Sequence, residues 1–235
     1  MKYINTSLRH YVLPNIFDDG WKFISFMIVI TLLAAIIWIP AGVVLFLLTA
    51  WCFYNFRDPQ RVTPLISDAV IAPADGIVSA IIKEKGPDCL GLGHKTFIKI
   101  CITPRFFDSN VYRCPIKSKV NKYFYDCGKR FSASFAKENI AQETLSVLFK
   151  TSTGQECVLR QTAVFCSPRL KPIFKQGEEI LAGKRIGFSR FGAYTDILLP
   201  EKTTITACLG QTLISGETII ADLQSDAPRI EGEIR

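Results

Sequence analysis

Apolar and polar positions follow two different patterns along the chain. From Phe23 to Phe56, 34 consecutive residues carry no charged side chain. About 20 apolar residues are enough for one spanning helix, so this run is longer than a simple span requires. Pro40 and Gly42 lie near its middle and disfavour a continuous helix. The pattern therefore predicts a membrane segment over 23–56, either one long kinked span or a hairpin of two shorter helices.

Beyond residue 65, short apolar runs alternate with turn residues, which is the pattern of β-strands. Asp75-Gly76 separates the first two runs, and Thr153-Gly154 separates the fourth from the fifth. Residues 131–144 are interpreted as a loop or a short helix. We therefore expect a mainly β (α+β) domain, built as a compact β-sandwich or barrel. The predicted strands are Ala69–Ala72, Ile77–Ile82, Thr96–Ile102, Leu145–Phe149, Cys157–Phe165, Asp196–Leu199, Thr203–Cys208 and Thr218–Ala221.

One internal repeat lies within this β region. Gly177–Ile186 and Gly210–Ile219 share the pattern G-x-x-[IL]-x-x-G-x-x-I and start 33 residues apart. The glycines allow tight turns, and the apolar residue between them is expected to point into a core. Similar turns occur in biotin- and lipoyl-carrier domains, which present a modifiable lysine. Lys184 is the candidate here, although Glu217 takes the equivalent position in the second copy.

The net charge of the chain indicates what kind of partner it binds. The chain has 28 Lys and Arg against 21 Asp and Glu, a net charge of +7. The basic residues are scattered, which disfavours nucleic acid, and a basic domain behind an apolar segment favours an anionic membrane surface. Arg57 and Arg61 follow the apolar run and favour a cytoplasmic main domain. The predicted organisation is a juxtamembrane amphipathic segment over 1–22, the membrane segment over 23–56, and the main domain over 57–235.

The eight cysteines are interpreted as reduced and mostly buried thiols, since none forms a CxxC pair and their wide spacing disfavours a zinc site. We predict no metal. A different enzyme on this fold would have Cys101, Cys114 or Cys166 as nucleophile. No histidine is well placed in sequence for that role, and nothing marks a thiol as activated.

Three short motifs occur in order along the chain. They are Phe56–Arg61 (FRDPQR), Ala72–Gly76 (APADG) and Arg190–Pro200 (RFGAYTDILLP). Together they resemble the phosphatidylserine decarboxylase family, especially its short form. Supporting similarity lies in Thr103–Pro115, Gln161–Ala163 and Gly216–Ala221, so the resemblance covers nearly the whole chain.

The resemblance implies a specific chemistry. Family members are proenzymes in which a Gly-Ser bond cleaves itself and the serine becomes a pyruvoyl group. That ketone forms a Schiff base with the substrate amine and accepts electrons while carbon dioxide leaves. An Asp-His pair is thought to activate the serine. The resemblance also implies a serine-phospholipid headgroup as substrate and a homodimer.

The sequence departs from the family at two of these positions. The Gly-Ser bond is here Gly192-Ala193, and none of the 15 glycines is followed by Ser, Thr or Cys. The family histidine corresponds to Asn110, whose amide cannot act as a general base. The two histidines of the chain, His10 and His94, lie elsewhere. The family aspartate is retained as Asp75, although Asp before Gly is equally typical of a turn.

Two losses within one catalytic unit predict a pseudoenzyme that neither cleaves itself nor carries a cofactor. Such a protein would bind lipid or a partner at the membrane. Gly192, Asp75, Asn110 and Arg113 are the candidate pocket residues, with a structural role for Arg113 equally open. The alternative is an active decarboxylase that makes phosphatidylethanolamine, which requires Ala193 to be an engineered replacement of serine.

Overall fold

The computed structural model describes residues 15–66, 68–126, 143–163, 170–190 and 192–224. The chain divides into two compact units, Met1–Gln60 and Arg61–Arg235. The predicted loop or helix over 131–144 lies almost wholly outside the described residues.

The first unit contains two helices, α1 (Asp18–Ile37) and α2 (Ile39–Asn55). Trp38 between them is extended, with φ −156° and ψ 107°, so the helix is interrupted two residues before Pro40. Proline is tolerated there because the first turn of a helix does not use its backbone N–H. Of the two shapes that the sequence allowed, the structure has the hairpin.

Close packing holds the two helices of the hairpin together. A Cβ added at Gly42 would lie 2.6 Å from the Cβ of Ala35, so glycine lets the helices approach at this point. The hydroxyl oxygens of Thr31 and Thr49 lie 2.9 Å apart and form a hydrogen bond between the helices. Many of the other apolar side chains are exposed, Ile36 and Ile37 above 80%. Among the described helices, Gly20–Ile37 is long and apolar enough to cross a membrane.

Two short strands lie at the ends of this hairpin. β1 (Asn15–Ile16) precedes α1 and pairs antiparallel with β2 (Arg57–Asp58), which follows α2. The hairpin is thus closed by backbone hydrogen bonds at the end opposite its turn.

The second unit is mainly β, as predicted. Its strands are β3 (Ala69–Ile71), β4 (Gly76–Lys85), β5 (Thr96–Thr103), β6 (Val111–Arg113), β7 (Ser118–Asp126), β8 (Thr144–Thr151), β9 (Glu156–Ala163), β10 (Lys171–Pro172), β11 (Glu179–Ile180), β12 (Arg185–Phe188), β13 (Ala193–Pro200), β14 (Thr204–Ile205), β15 (Thr212–Leu213) and β16 (Ile219–Asp222). Every predicted strand overlaps one of them, while β6, β7, β10, β11, β12 and β15 were not predicted.

An eight-stranded antiparallel sheet forms a half-barrel in the order β11-β7-β8-β9-β13-β5-β4-β15. Two three-stranded sheets, β10-β12-β6 and β14-β16-β3, complete the unit. Residues from all three sheets form the main core, among them Ile100, Phe149 and Ile197, each less than 1% exposed. β13 lies near the middle of the large sheet: Ala193 and Tyr194 pair with β9 alone, and β5 joins on the other side from Thr195 onward.

The two repeat units have matching conformations. Their four framework glycines have φ between +77° and +84°, a region that favours glycine. Ile180 and Leu213, the apolar residues between the glycines, are 1% and 0% exposed and belong to the same core. The short strands of the two repeats, β11 and β15, form the opposite edges of the eight-stranded sheet. The repeat is therefore structural, as the sequence predicted.

Candidate functional site

Four of the predicted site residues converge at the ends of strands. Asp75 lies in the turn between β3 and β4, Asn110 ends the loop from β5 to β6, and Gly192-Ala193 leads into β13. Asp75, Asn110 and Ala193 are each buried, at 6%, 5% and 1% exposed. The site is therefore built from turns that the sheets hold in place.

Gly192 and Asn110 are direct neighbours. Gly192 has φ +83°, the left-handed conformation that side chains rarely adopt. A Cβ at this position would lie 3.5 Å from Oδ1 of Asn110 and 3.6 Å from Cγ of Pro104. The structure thus brings the residue at the family's histidine position beside the residue that precedes the family's cleavage site.

The carbonyl group of Gly192 accepts a hydrogen bond from a residue that sequence reasoning missed. The Ser189 hydroxyl, fully buried, donates to the Gly192 oxygen at 3.0 Å. The Tyr112 hydroxyl hydrogen-bonds with the Ser189 side chain, and it also bonds with the backbone of Ala193 and the Thr195 side chain. Burial raises the pKa of Tyr112, so this phenol stays neutral at physiological pH. Buried hydroxyls therefore surround the Gly192–Ala193 link.

Asp75 is held by three hydrogen-bond donors. Its Oδ1 accepts from the backbone N–H of Ser215 at 2.7 Å. Its Oδ2 accepts from Nη2 of Arg61 at 2.8 Å and from the backbone N–H of Ser109 at 3.3 Å. The Arg61 contact is an ion pair with both side chains largely buried, which makes it a charge-assisted bond. Arg61 belongs to the first motif and Ser215 to the second repeat, but neither pattern predicted a contact with Asp75.

Arg113 has a framework position. It is 7% exposed, and its Nη1 donates to the carbonyl oxygen of Gly183 at 3.0 Å. A Cβ added at Gly216 would lie 2.6 Å from Cδ of Arg113. The Arg113 side chain thus lies between Gly183 and Gly216, which are the second glycines of the two repeats. Of the two roles left open by the sequence, these contacts favour the structural one over headgroup binding.

The arrangement limits the chemistry of the site. Ala193 offers a methyl group where a nucleophilic hydroxyl is needed, and the Asn110 amide cannot accept a proton near neutral pH. The Ser189 hydroxyl points at the oxygen of the Gly192 carbonyl, which suits polarisation of that carbonyl rather than attack on its carbon. The residues present therefore do not fit formation of a pyruvoyl group, because position 193 has no hydroxyl that could attack the Gly192 carbonyl to form an ester and then be eliminated from Cβ.

The other candidate groups show no activation. Burial, with Asp196 nearby, raises the pKa of Cys101 to about 11, and burial raises the pKa of Cys114 to about 11. Both thiols are therefore protonated and poor nucleophiles at neutral pH. Cys166 and His10 lie outside the described residues. His94 is exposed in the turn before β5, and Lys184 forms an ion pair with Glu178 at 3.0 Å.

Comparisons with known proteins give a consistent result. The family model for phosphatidylserine decarboxylase matches residues 48–221. A phosphatidylserine decarboxylase proenzyme of Paramagnetospirillum magneticum is 37% identical over 97% of this chain and 95% of its own length. The proenzyme of Rickettsia akari is 40% identical over 87% of this chain and 88% of its own length. The proenzyme of Cereibacter sphaeroides is 36% identical over 92% of this chain and 94% of its own length.

Proposed function

This chain belongs to the phosphatidylserine decarboxylase family, and we propose that it is a membrane-associated pseudoenzyme of that family, which stays uncut and binds serine phospholipid. One observation carries the proposal. The backbone at Gly192 and the contacts of Asp75 form an ordered site, yet the cleavage nucleophile is replaced by Ala193 and the base by Asn110.

Membrane association is supported by the hairpin of the first unit. Its residues 23–56 carry no charge, and many apolar side chains on both helices are exposed. Helices satisfy their own backbone hydrogen bonds, which is a requirement in hydrocarbon. Arg57 and Arg61 follow the hairpin, and positive charge at this flank favours a cytoplasmic location for the second unit.

An intact-mass spectrum of the detergent-extracted full chain tests the absence of cleavage. We expect one uncut chain, because Ala193 cannot attack the Gly192 carbonyl. Two fragments split after Gly192, with a pyruvoyl mass at the new N-terminus, would overturn the proposal. Formation of ethanolamine phospholipid from serine phospholipid in the same preparation would also overturn it and establish the active decarboxylase.

Headgroup binding is supported by the amide of Asn110, whose Oδ1 would lie only 3.5 Å from a Cβ at Gly192. An amide can donate to a phosphate or carboxylate and accept from an ammonium group. Because the chain carries a net charge of +7, any anionic lipid attracts it, so the comparison lipid must be anionic too.

The test is calorimetric titration of the detergent-solubilised full chain with a short-chain serine phospholipid and with a short-chain glycerol phospholipid. We expect the unchanged chain to bind the serine phospholipid more tightly than the glycerol phospholipid. The Asn110→Ala variant should bind the serine phospholipid more weakly than the unchanged chain does. Asn121→Ala is the matched control, because Asn121 is exposed on β7. Equal affinities for the two lipids would refute headgroup recognition.

A further inference from the structure

An aromatic turn, Arg105–Asp108, projects from the loop between β5 and β6. Phe106 and Phe107 form its tip and are 66% and 60% exposed, although both are large apolar side chains. Their rings meet edge to face with centroids 4.9 Å apart. The aromatic turn therefore presents a pair of adjoining apolar rings outside the core.

The turn is rigidly closed at its base. The backbone N–H of Asp108 donates to the Arg105 carbonyl at 3.1 Å, and the Arg105 N–H donates to Asp108 Oδ2 at 2.8 Å. The Arg105 guanidinium donates to the same carboxylate, with Nη2 2.9 Å from Oδ1. The buried Asp108 thus fixes both ends of the turn, which reduces the entropy lost when the rings bind a surface.

The aromatic turn is also continuous with the candidate site. Pro104 precedes it and lies beside Gly192, while Ser109 and Asn110 follow it and are buried in the site. Whatever surface covers the two rings therefore lies next to the candidate site. A lipid headgroup at Gly192 and its acyl chains at the rings would be within one short loop of each other.

We propose that the aromatic turn inserts Phe106 and Phe107 into the interfacial region of a phospholipid bilayer. This gives the second unit a membrane contact of its own, and it rests on the membrane association proposed above. Aromatic rings favour the boundary between headgroups and acyl chains. The Arg105 side chain is 47% exposed at the same turn, where its guanidinium suits lipid phosphate.

A bilayer fits these observations better than a protein partner does. A stable protein interface buries about 800 Å² on each side, whereas two adjoining rings on a narrow turn supply much less. A bilayer needs only a short apolar projection with a cation beside it.

The test places single tryptophans in the full chain reconstituted in bilayers. Trp21, Trp38 and Trp51 are replaced by phenylalanine, and Phe106→Trp becomes the reporter. Phe124→Trp is the matched control, since Phe124 is 44% exposed on β7. A third protein keeps Trp38 alone, at the turn of the hairpin. Lipids are brominated either close to the headgroup or close to the end of the acyl chain. Quenching of the tryptophan fluorescence by each lipid measures how deep the tryptophan lies in the bilayer.

We expect the tryptophan at 106 to lose most of its emission to the shallow brominated lipids and less to the deep ones, with position 124 unaffected. Equal, weak quenching at 106 and 124 would overturn the proposal. So would a blue shift at 106 without quenching, which indicates a protein contact. Quenching of Trp38 reports the hairpin, so failure of the aromatic turn and failure of membrane association give different results.

Discussion

A hydroxyl on the Cβ of residue 193 would lie next to the carbonyl of Gly192, and the Ala193 methyl removes it. The double change Ala193→Ser with Asn110→His restores both missing groups in the retained framework. We expect this variant to cleave after Gly192, which gel electrophoresis and mass spectrometry detect. Ala193→Ser alone should cleave at least about 100-fold more slowly, because it lacks the base. If the double variant folds but stays whole, the site lacks more than these two groups.

The control for that experiment is Ala193→Ser with Asn121→His. It adds the same two side chains, but the histidine lies on the exposed part of β7. We expect this control to match the rate of Ala193→Ser alone. Cleavage equal to that of the double variant would mean that position 110 has no special role.

Ser189 is a positioning residue for the same bond. Because its hydroxyl donates to the Gly192 oxygen at 3.0 Å, it would stabilise the charge that develops there during attack. Adding Ser189→Ala to the double variant should slow cleavage by about 100-fold, the usual effect of removing one such donor. Ser189→Thr keeps a hydroxyl and should restore part of the rate.

Ser146→Ala in β8 controls for the loss of a buried serine, as Ser146 is 3% exposed. Thermal unfolding of each variant separates stability from cleavage. A rate loss in Ser189→Ala that matches the loss in Ser146→Ala would assign Ser189 a structural role only.

The sequence was sufficient to predict some residues of the candidate site and insufficient for others. Asp75, Asn110 and Gly192 belong to short motifs, so a local pattern reveals them. Ser189 and Tyr112 act on the Gly192–Ala193 link only because β12, β6 and β13 come together. Arrangements of this kind arise from long-range packing and leave no local signal.

At the scale of elements, the hairpin depends on close approach at Gly42. Gly42→Leu should separate the helices, because even a Cβ would lie 2.6 Å from that of Ala35. Spin labels on the two helices should show a longer distance by pulsed electron resonance. Val43→Leu enlarges a side chain that is 55% exposed and should leave the distance unchanged. An unchanged distance in Gly42→Leu would contradict close packing of the helices at Gly42 and Ala35.

A charge network joins four neighbouring strands of the large sheet. Glu84 on β4 contacts Lys99 on β5 and Arg160 on β9, and Asp196 on β13 lies near both cations. Burial opposes charge on Glu84, but hydrogen bonds from Lys99 and Arg160 prevail and lower its pKa. A lowered pKa contributes stability above the ordinary value of 4.5, and that stability is lost as the pH falls.

Glu84→Gln should therefore lower the free energy of unfolding near neutral pH and weaken its fall under acid conditions. Denaturant unfolding of the full chain over a series of pH values measures both effects. Glu201→Gln is the control, because the Lys83–Glu201 pair has side chains 67% and 50% exposed and contributes little. Identical pH profiles for the two variants would show that the network contributes no stability.

The pattern of strands explains which elements were predictable. The predicted strands are apolar runs that lie in or next to the core, so burial leaves a clear signal. β7 was missed because only Ser118 and Val120 are buried along its nine residues. The two-residue strands β10, β11 and β15 depend on their pairing partners rather than on their own composition.

At the scale of the whole molecule, an apolar segment followed by a mainly β domain could be predicted from two patterns of apolar residues in one sequence. The choice between a kinked span and a hairpin did not, because Pro40 permits both and only packing at Gly42 selects one. The homodimer implied by the family resemblance stays a prediction. Light scattering of the detergent-extracted chain, corrected for bound detergent, measures it, and we expect the mass of two chains.

The link from β12 to β13 passes through Gly192, and in the proposed protein it remains a peptide bond. β13 lies between β9 and β5, near the centre of the large sheet. A cleaved protein would hold this strand only by non-covalent contacts, and its recovery after unfolding would depend on subunit concentration. The uncut chain would refold its β domain as a single polymer, so dilution would not separate β13 from the strands beside it. If the chain stays uncut as proposed, we therefore expect a β domain that can be denatured and renatured.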